Sequence, residues 1–131
     1  MPYQAIALVT VAIAFASVAV ITQHKEQVRW PAWIYPAVLM IVFTAWSLGA
    51  VITEGPLGFW QNHVANMWGI QVWVDLLMAV GAAYFLLLPR ARAVGMTSEV
   101  WIILICCTGS IGLFTMLARM LFLERQQASW D

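Results

Sequence analysis

MWGIQVWVDLLMAVGAAYFLLL, residues 67–88, is a run of 22 residues with a single charged side chain, Asp75. The hydrocarbon core of a bilayer takes about 20 predominantly apolar residues per helical crossing, so this stretch is long enough to span one. Three further runs of comparable length surround it: 3–22 and 33–52 carry no charge, and 100–123 carries one, Arg119. The pattern predicts an all-α integral membrane protein, a four-transmembrane-helix bundle with helices over about 3–22, 33–52, 67–88 and 100–123. Residues 1–131 read as one membrane domain.

Composition agrees. The chain is 63% hydrophobic and 9% charged, against roughly 25% charged residues in an ordinary soluble domain. Six acids and six bases are too few to coat a soluble fold of 131 residues. A transmembrane barrel would need alternating segments of about ten residues and more strands than this length supplies. Net charge is zero and the bases are scattered, so neither a nucleic-acid footprint nor a polybasic lipid-binding patch is present. Cys106 and Cys107 are adjacent inside an apolar run, which suits helix packing better than a disulfide or spaced metal ligands.

The breaks between runs carry turn and charge signals: Lys25, Glu26, Arg29 and Pro31; Glu54-Gly55-Pro56 with Gly58; and Pro89-Arg90-Ala91-Arg92 with Gly95. Pro36 falls in the first turn of its helix, where a missing amide hydrogen costs nothing. Thr97 or Ser98 is placed to cap the last helix, with Glu99 near its positive end. The segment 53–66, with Phe59, Trp60 and His63, has the aromatic character of a stretch lying along the membrane interface. Ala14-Phe15-Ala16 resembles a signal-peptide cleavage site, but no basic leader precedes it and the run is long enough to span, so it reads as a retained helix. Lys25, Arg29, Arg90 and Arg92 outweigh the bases on the other side. The positive-inside rule then places loops 23–32 and 89–99 in the cytoplasm and both termini outside. Trp30, Trp33 and Trp101 would line the cytoplasmic interface, and Trp60 and Trp68 the opposite one.

An ionisable side chain inside hydrocarbon is costly and normally faces a partner in the bundle interior. In a four-crossing arrangement Asp75 lies ~13 Å and Arg119 ~6 Å from the non-cytoplasmic side, at 1.5 Å per residue. That ~7 Å difference is within reach of an arginine, so a salt bridge or shared water site joining Asp75 and Arg119 is expected. Thr108, Gly112, Thr115 and Arg119 recur at helical spacing, Gln71 lies one turn before Asp75, and Thr10, Ala14 and Ser17 form a small-residue stripe. These stripes read as packing seams, with Gln71, Thr108, Thr115, His63 and Asn66 as the residues that would line a ligand cavity if one formed. Paired histidines suggest haem, but four crossings put His24 and His63 on opposite membrane faces, roughly 30 Å apart. No metal site and no cofactor is expected, and P-loop, G-x-S-x-G, H-E-x-x-H and spaced-cysteine motifs are absent.

Over about 64–125 the chain resembles a bacterial membrane family catalogued as domain of unknown function 2834. The shared features are Val64-Ala65-Asn66, Asp75-Leu76-Leu77 inside an apolar helix, the basic turn from Arg90 to Gly95, and Leu121-Phe122-Leu123-Glu124-Arg125. The resemblance implies a bacterial inner (cell) membrane location and no particular activity. Members of that family carry a proline near the position of Ala118 and an apolar residue at that of Arg119, where this chain differs. Three functions compete. A non-catalytic accessory or self-associating helix bundle, with the lipid bilayer and either a second copy or a larger membrane protein as partner, fits the thin polar inventory. An intramembrane lipid- or isoprenoid-binding protein or enzyme would use Asp75, Gln71 and His63. A transporter like the small multidrug-resistance proteins would share four short helices and an intramembrane acid, although that family's acid is in the first helix and none is there in this chain.

Overall fold

The computed structural model describes residues 2–23 and 31–129, with side chains over 3–17 and 31–129. His24, Lys25, Glu26, Arg29 and Trp30 therefore lie outside the described residues. The chain divides into two compact units, Met1–Trp30 and Pro31–Asp131. All regular structure among the described residues is helical. In the first unit a single helix, α1 (Pro2–Gln23), occupies the expected run. The Thr10 and Ser17 hydroxyls on it donate to the carbonyls of Ile6 and Ala14, both at 2.8 Å, so they satisfy themselves within the helix.

The second unit holds α2 (Ile34–Glu54), α3 (Gly58–Val64), α4 (Met67–Ala93), α5 (Ser98–Thr108) and α6 (Ser110–Ala128). Among the described residues, α2 and α4 are the helices long and apolar enough to cross a membrane. α2 begins as expected, with Pro36 as its third residue, and ends where Gly55 takes φ +83° and donates to the Val51 carbonyl at 3.0 Å. The connection 53–66 folds into the short α3, whose Phe59 and His63 rest on Trp73 of α4 with ring centroids 5.8 and 5.0 Å away. The elbow into α4 is tight, because a Cβ on Gly69 would meet the His63 carbonyl oxygen at 2.5 Å. Asn66 caps α4 by accepting from the Gly69 amide at 2.8 Å. Asn66→Ala should cost about 1 kcal/mol, read as a lower thermal midpoint in detergent.

α4 does not stop at Leu88. It continues through Pro89 to Ala93, because proline keeps a helical φ and removes only the one bond its amide would have made to Phe85. Arg90 and Arg92 occupy the last turn, where cations favour the helix dipole. The helix then closes on a Schellman turn: Gly95 at φ +80° donates to Arg92, Met96 donates to Ala91, both at 3.0 Å, and Met96 is buried.

The largest departure from expectation is the last crossing. Residues 100–123 do not form one continuous helix; Gly109, at φ +59° and ψ −123°, divides them into α5 and α6. The two helices fold back on each other. Along a straight path, Glu124 would stand ~39 Å beyond Ser98 at 1.5 Å per residue, yet its carboxylate is bonded to Arg90 near the end of α4 at 2.8 and 3.0 Å. Phe122 meets Trp33 edge-on at 5.6 Å, just before α2 begins. Within this unit, one end therefore gathers the start of α2, the end of α4 and the end of α6. Gly112 permits the reversal, since a Cβ there would lie 2.9 Å from the backbone N and Cα of Ile105. Thr97 holds the N-cap position of α5 without its hydroxyl bonding the helix.

The core is small. Ala91, Met96, Ile105, Met116 and Met120 are buried, and Val80, Tyr84, Leu87, Trp101, Leu113 and Leu117 pack around them. Tyr84 also donates to the Ser98 carbonyl at 3.2 Å, tying α4 to the start of α5. All of this packing lies in the half of the unit reached by the α5–α6 hairpin. Beyond it, residues 48–54 of α2 are exposed, with Asn62 of α3 donating to the Glu54 carboxylate at 3.4 Å.

Candidate functional site

Asp75 and Gln71 lie together on α4, on a face formed by Met67, Ile70, Gln71, Val74, Asp75 and Met78. Spacings of three and four residues bring these six to one side of the helix. They border an open groove of about 320 Å³. The core-facing side of α4 is defined by Val80, Tyr84, Leu87 and Ala91. Five residues at about 100° each put Asp75 roughly 140° around the helix from Val80. Asp75 therefore points away from the hairpin.

That geometry separates the residues expected to pair. Asp75 precedes Arg90 by 15 residues, and Arg119 precedes Glu124 by five. Measured from the Arg90–Glu124 bond, Asp75 is ~22 Å along the helices and Arg119 ~7 Å, at 1.5 Å per residue. Both are exposed, and among the described residues no hydrogen bond or ion pair joins them. The expected Asp75–Arg119 pair is not formed, because a chain that reverses at Gly109 carries Arg119 back toward the end from which α5 started. Among the described residues the ion pair present instead is Arg90–Glu124, bidentate but half-exposed. Arg90→Met combined with Glu124→Leu should shift stability by no more than ~1 kcal/mol, as for other exposed pairs, in a thermal melt.

The other cavity candidates are turned to local work. Thr108 and Thr115 donate to Leu104 and Ile111, each at 2.7 Å, one turn back in their own helices. The stripe expected to join them is cut at Gly109, which leaves Thr108 on α5 and Gly112, Thr115 and Arg119 on α6. The His63 ring nitrogen Nδ1 lies 2.6 Å from the Phe59 carbonyl, so it carries the proton and donates. Asn66 is the α4 cap. Only Gln71 remains beside Asp75, and among the described residues neither has a polar partner. Cys106 and Cys107 are free thiols on the exposed side of α5. Among the described residues no group of three metal-ligating side chains comes together.

Sequence reasoning missed the Arg90–Glu124 pair, and the signal that could have found it was Thr108-Gly109-Ser110, a turn-forming triplet in the middle of an apolar run. Comparison with family models, with curated proteins and with solved structures finds no match. The resemblance to the family of unknown function therefore rests on the residues quoted for it.

Proposed function

We propose that this chain is a non-catalytic integral membrane subunit with three crossing helices, α1, α2 and α4, and one re-entrant hairpin, α5–α6, that enters from and returns to the same face. The observation that carries the reading is an apolar exterior with no convergent polar site among the described residues. Large side chains such as Phe43, Trp46, Ile52, Met78, Phe85, Leu86 and Ile103 are exposed, while five hydrophobic residues are buried. Water does not tolerate such a surface on a stable monomer; lipid or another membrane helix does. The hairpin reading is supported by length. α5 has 11 residues, ~16 Å at 1.5 Å per residue, about half of a ~30 Å hydrocarbon layer.

The reversal also sharpens the orientation. Arg90 and Arg92 at the end of α4 and Arg125 at the end of α6 share one end of the second unit, and Lys25 and Arg29 precede α2 in the sequence. The segment 53–66, which joins α2 to α4 at the other end, contains neither lysine nor arginine. The positive-inside rule then favours a cytoplasmic C-terminus, in contrast to the outside position that four crossings imply. Purification in mild detergent followed by native mass spectrometry tests the functional reading. A second copy or a stoichiometric protein partner is expected; a single stoichiometric lipid, or an absorbing pigment, would replace it with a ligand-binding function.

A further inference from the structure

We infer that the Gln71–Asp75 face of α4 is the seam of a parallel dimer of this chain. The inference rests on the membrane reading above. Asp75 lies ~22 Å from the Arg90–Glu124 bond at 1.5 Å per residue, which places it beyond the midplane of a ~30 Å hydrocarbon layer and ~8 Å inside its opposite face. A carboxyl group and a primary amide one turn apart, both without partners among the described residues, would be left unsatisfied against lipid tails. Arg119 is ~15 Å away along the axis at the same rise and on another helix. The occupant of this face must offer both a donor and an acceptor at the depth of Asp75.

A second copy in the same orientation does so by symmetry. A two-fold axis along the membrane normal keeps every residue at its own depth, so Asp75 meets Asp75 of the second copy and Gln71 meets Gln71. An amide pairs with an amide because each has donors and an acceptor. The Gln71 amide of each copy can also donate to the Asp75 carboxyl oxygen of the other, one helical turn away. Val74 and Met78 would fill the seam between and beside these polar layers. Gly81 continues the same side of α4, and nothing lies within 4 Å of where its Cβ would be, so a second helix has room to approach closely. An antiparallel pair would bring Asp75 to the depth of Arg119, but it requires copies inserted in opposite senses, which the grouping of Arg90, Arg92 and Arg125 at one end disfavours.

The test uses the full chain in membranes with Cys106→Ala and Cys107→Ala, and single cysteines at Val74, Met78, Val72 and Leu76. All four sites are exposed, but only the first two lie on the seam. Oxidation should link two copies through positions 74 and 78 several-fold more than through 72 and 76. Gln71→Leu with Asp75→Leu should weaken self-association about tenfold, the scale of interhelical polar contacts in lipid, whereas Asp75→Asn should preserve it, because an amide pairs with itself. Cross-links confined to one chain, links favouring 72 and 76, links to a different protein, or a double leucine variant that dimerises normally would each overturn the dimer. So would cross-links between cysteines at 75 and 119, which would indicate the antiparallel pair. Alkaline carbonate separates the two levels of inference: protein retained in membranes without seam-specific links refutes the dimer alone, and protein released from membranes refutes both.

Discussion

Replacing Gly109 and Gly112 together by leucine should move the C-terminus from one side of the membrane to the other. In the unmodified chain a C-terminal fluorescent-protein fusion made in a bacterial host should be bright, and a C-terminal alkaline phosphatase fusion inactive. In the double variant the two signals should exchange, with at least a tenfold change in their ratio. Leucine at 109 would have to adopt φ +59° and ψ −123°, a region that costs an L-residue roughly 1–3 kcal/mol. Leucine at 112 would drive its Cβ to 2.9 Å from the Ile105 backbone. A continuous helix relieves both conflicts and restores backbone bonds at the break. The straightened run 100–123 is long enough to cross, with Arg119 near its far end, where its side chain can reach the interface. A dark fluorescent fusion and an active phosphatase fusion on the unmodified chain would sink the re-entrant reading.

Met116→Ala with Met120→Ala should release the hairpin from α4. Both side chains are fully buried, in a cluster whose other buried members are Ala91, Met96 and Ile105. Core truncations of this kind cost about 2–5 kcal/mol each in water-soluble proteins. In lipid the hydrophobic transfer part of that cost shrinks, because the tails are as apolar as the methionine, and the lost packing contacts remain. We therefore expect the lower end, about 2 kcal/mol per site. The checks are a lower thermal midpoint in detergent and faster proteolysis at 94–97. Met78→Ala, on the exposed face of α4, should leave the monomer's melting unchanged; an equal loss there would show that the core has been misplaced.

The reach of the sequence differs from helix to helix. α2 and α4 were legible because an uncharged or nearly uncharged run of bilayer length has few other uses, and the observed helices overlap the expected ones almost end to end. Pro89 misled, since it forfeits the one bond to Phe85 yet keeps a helical φ, and the last turn of α4 through Ala93 forms without that bond. The run 100–123 misled in the opposite way. Its apolar length argued for a crossing, while of its two glycines only Gly109 sits in a turn-forming triplet, Thr108-Gly109-Ser110, and a glycine alone is no stop, since Gly49 and Gly81 sit within unbroken helices. What distinguishes Gly109 is the contact its reversal makes possible, Ile105 against Gly112, and that contact exists only once the chain has folded back.

The candidate site divides along the same line. Asp75 and Arg119 are the charges within the apolar runs, a property that depends only on the residues beside them in the chain. Whether they meet depends on the direction in which α6 travels, and one pair of backbone angles at Gly109 decides it. The sequence by itself determined the helical class, the presence of helices long and apolar enough to cross a membrane, and the position of Asp75 along its own helix, because each follows from local apolar length at 1.5 Å per residue. Only the tertiary structure decided that the chain turns back after Thr108, that Arg90 rather than Asp75 receives an ion-pair partner, and that no other helix of the second unit covers Gln71 and Asp75 on α4. Those outcomes are set by which surfaces pack together, and packing partners 34 residues apart, as Arg90 and Glu124 are, leave no periodic trace in the sequence.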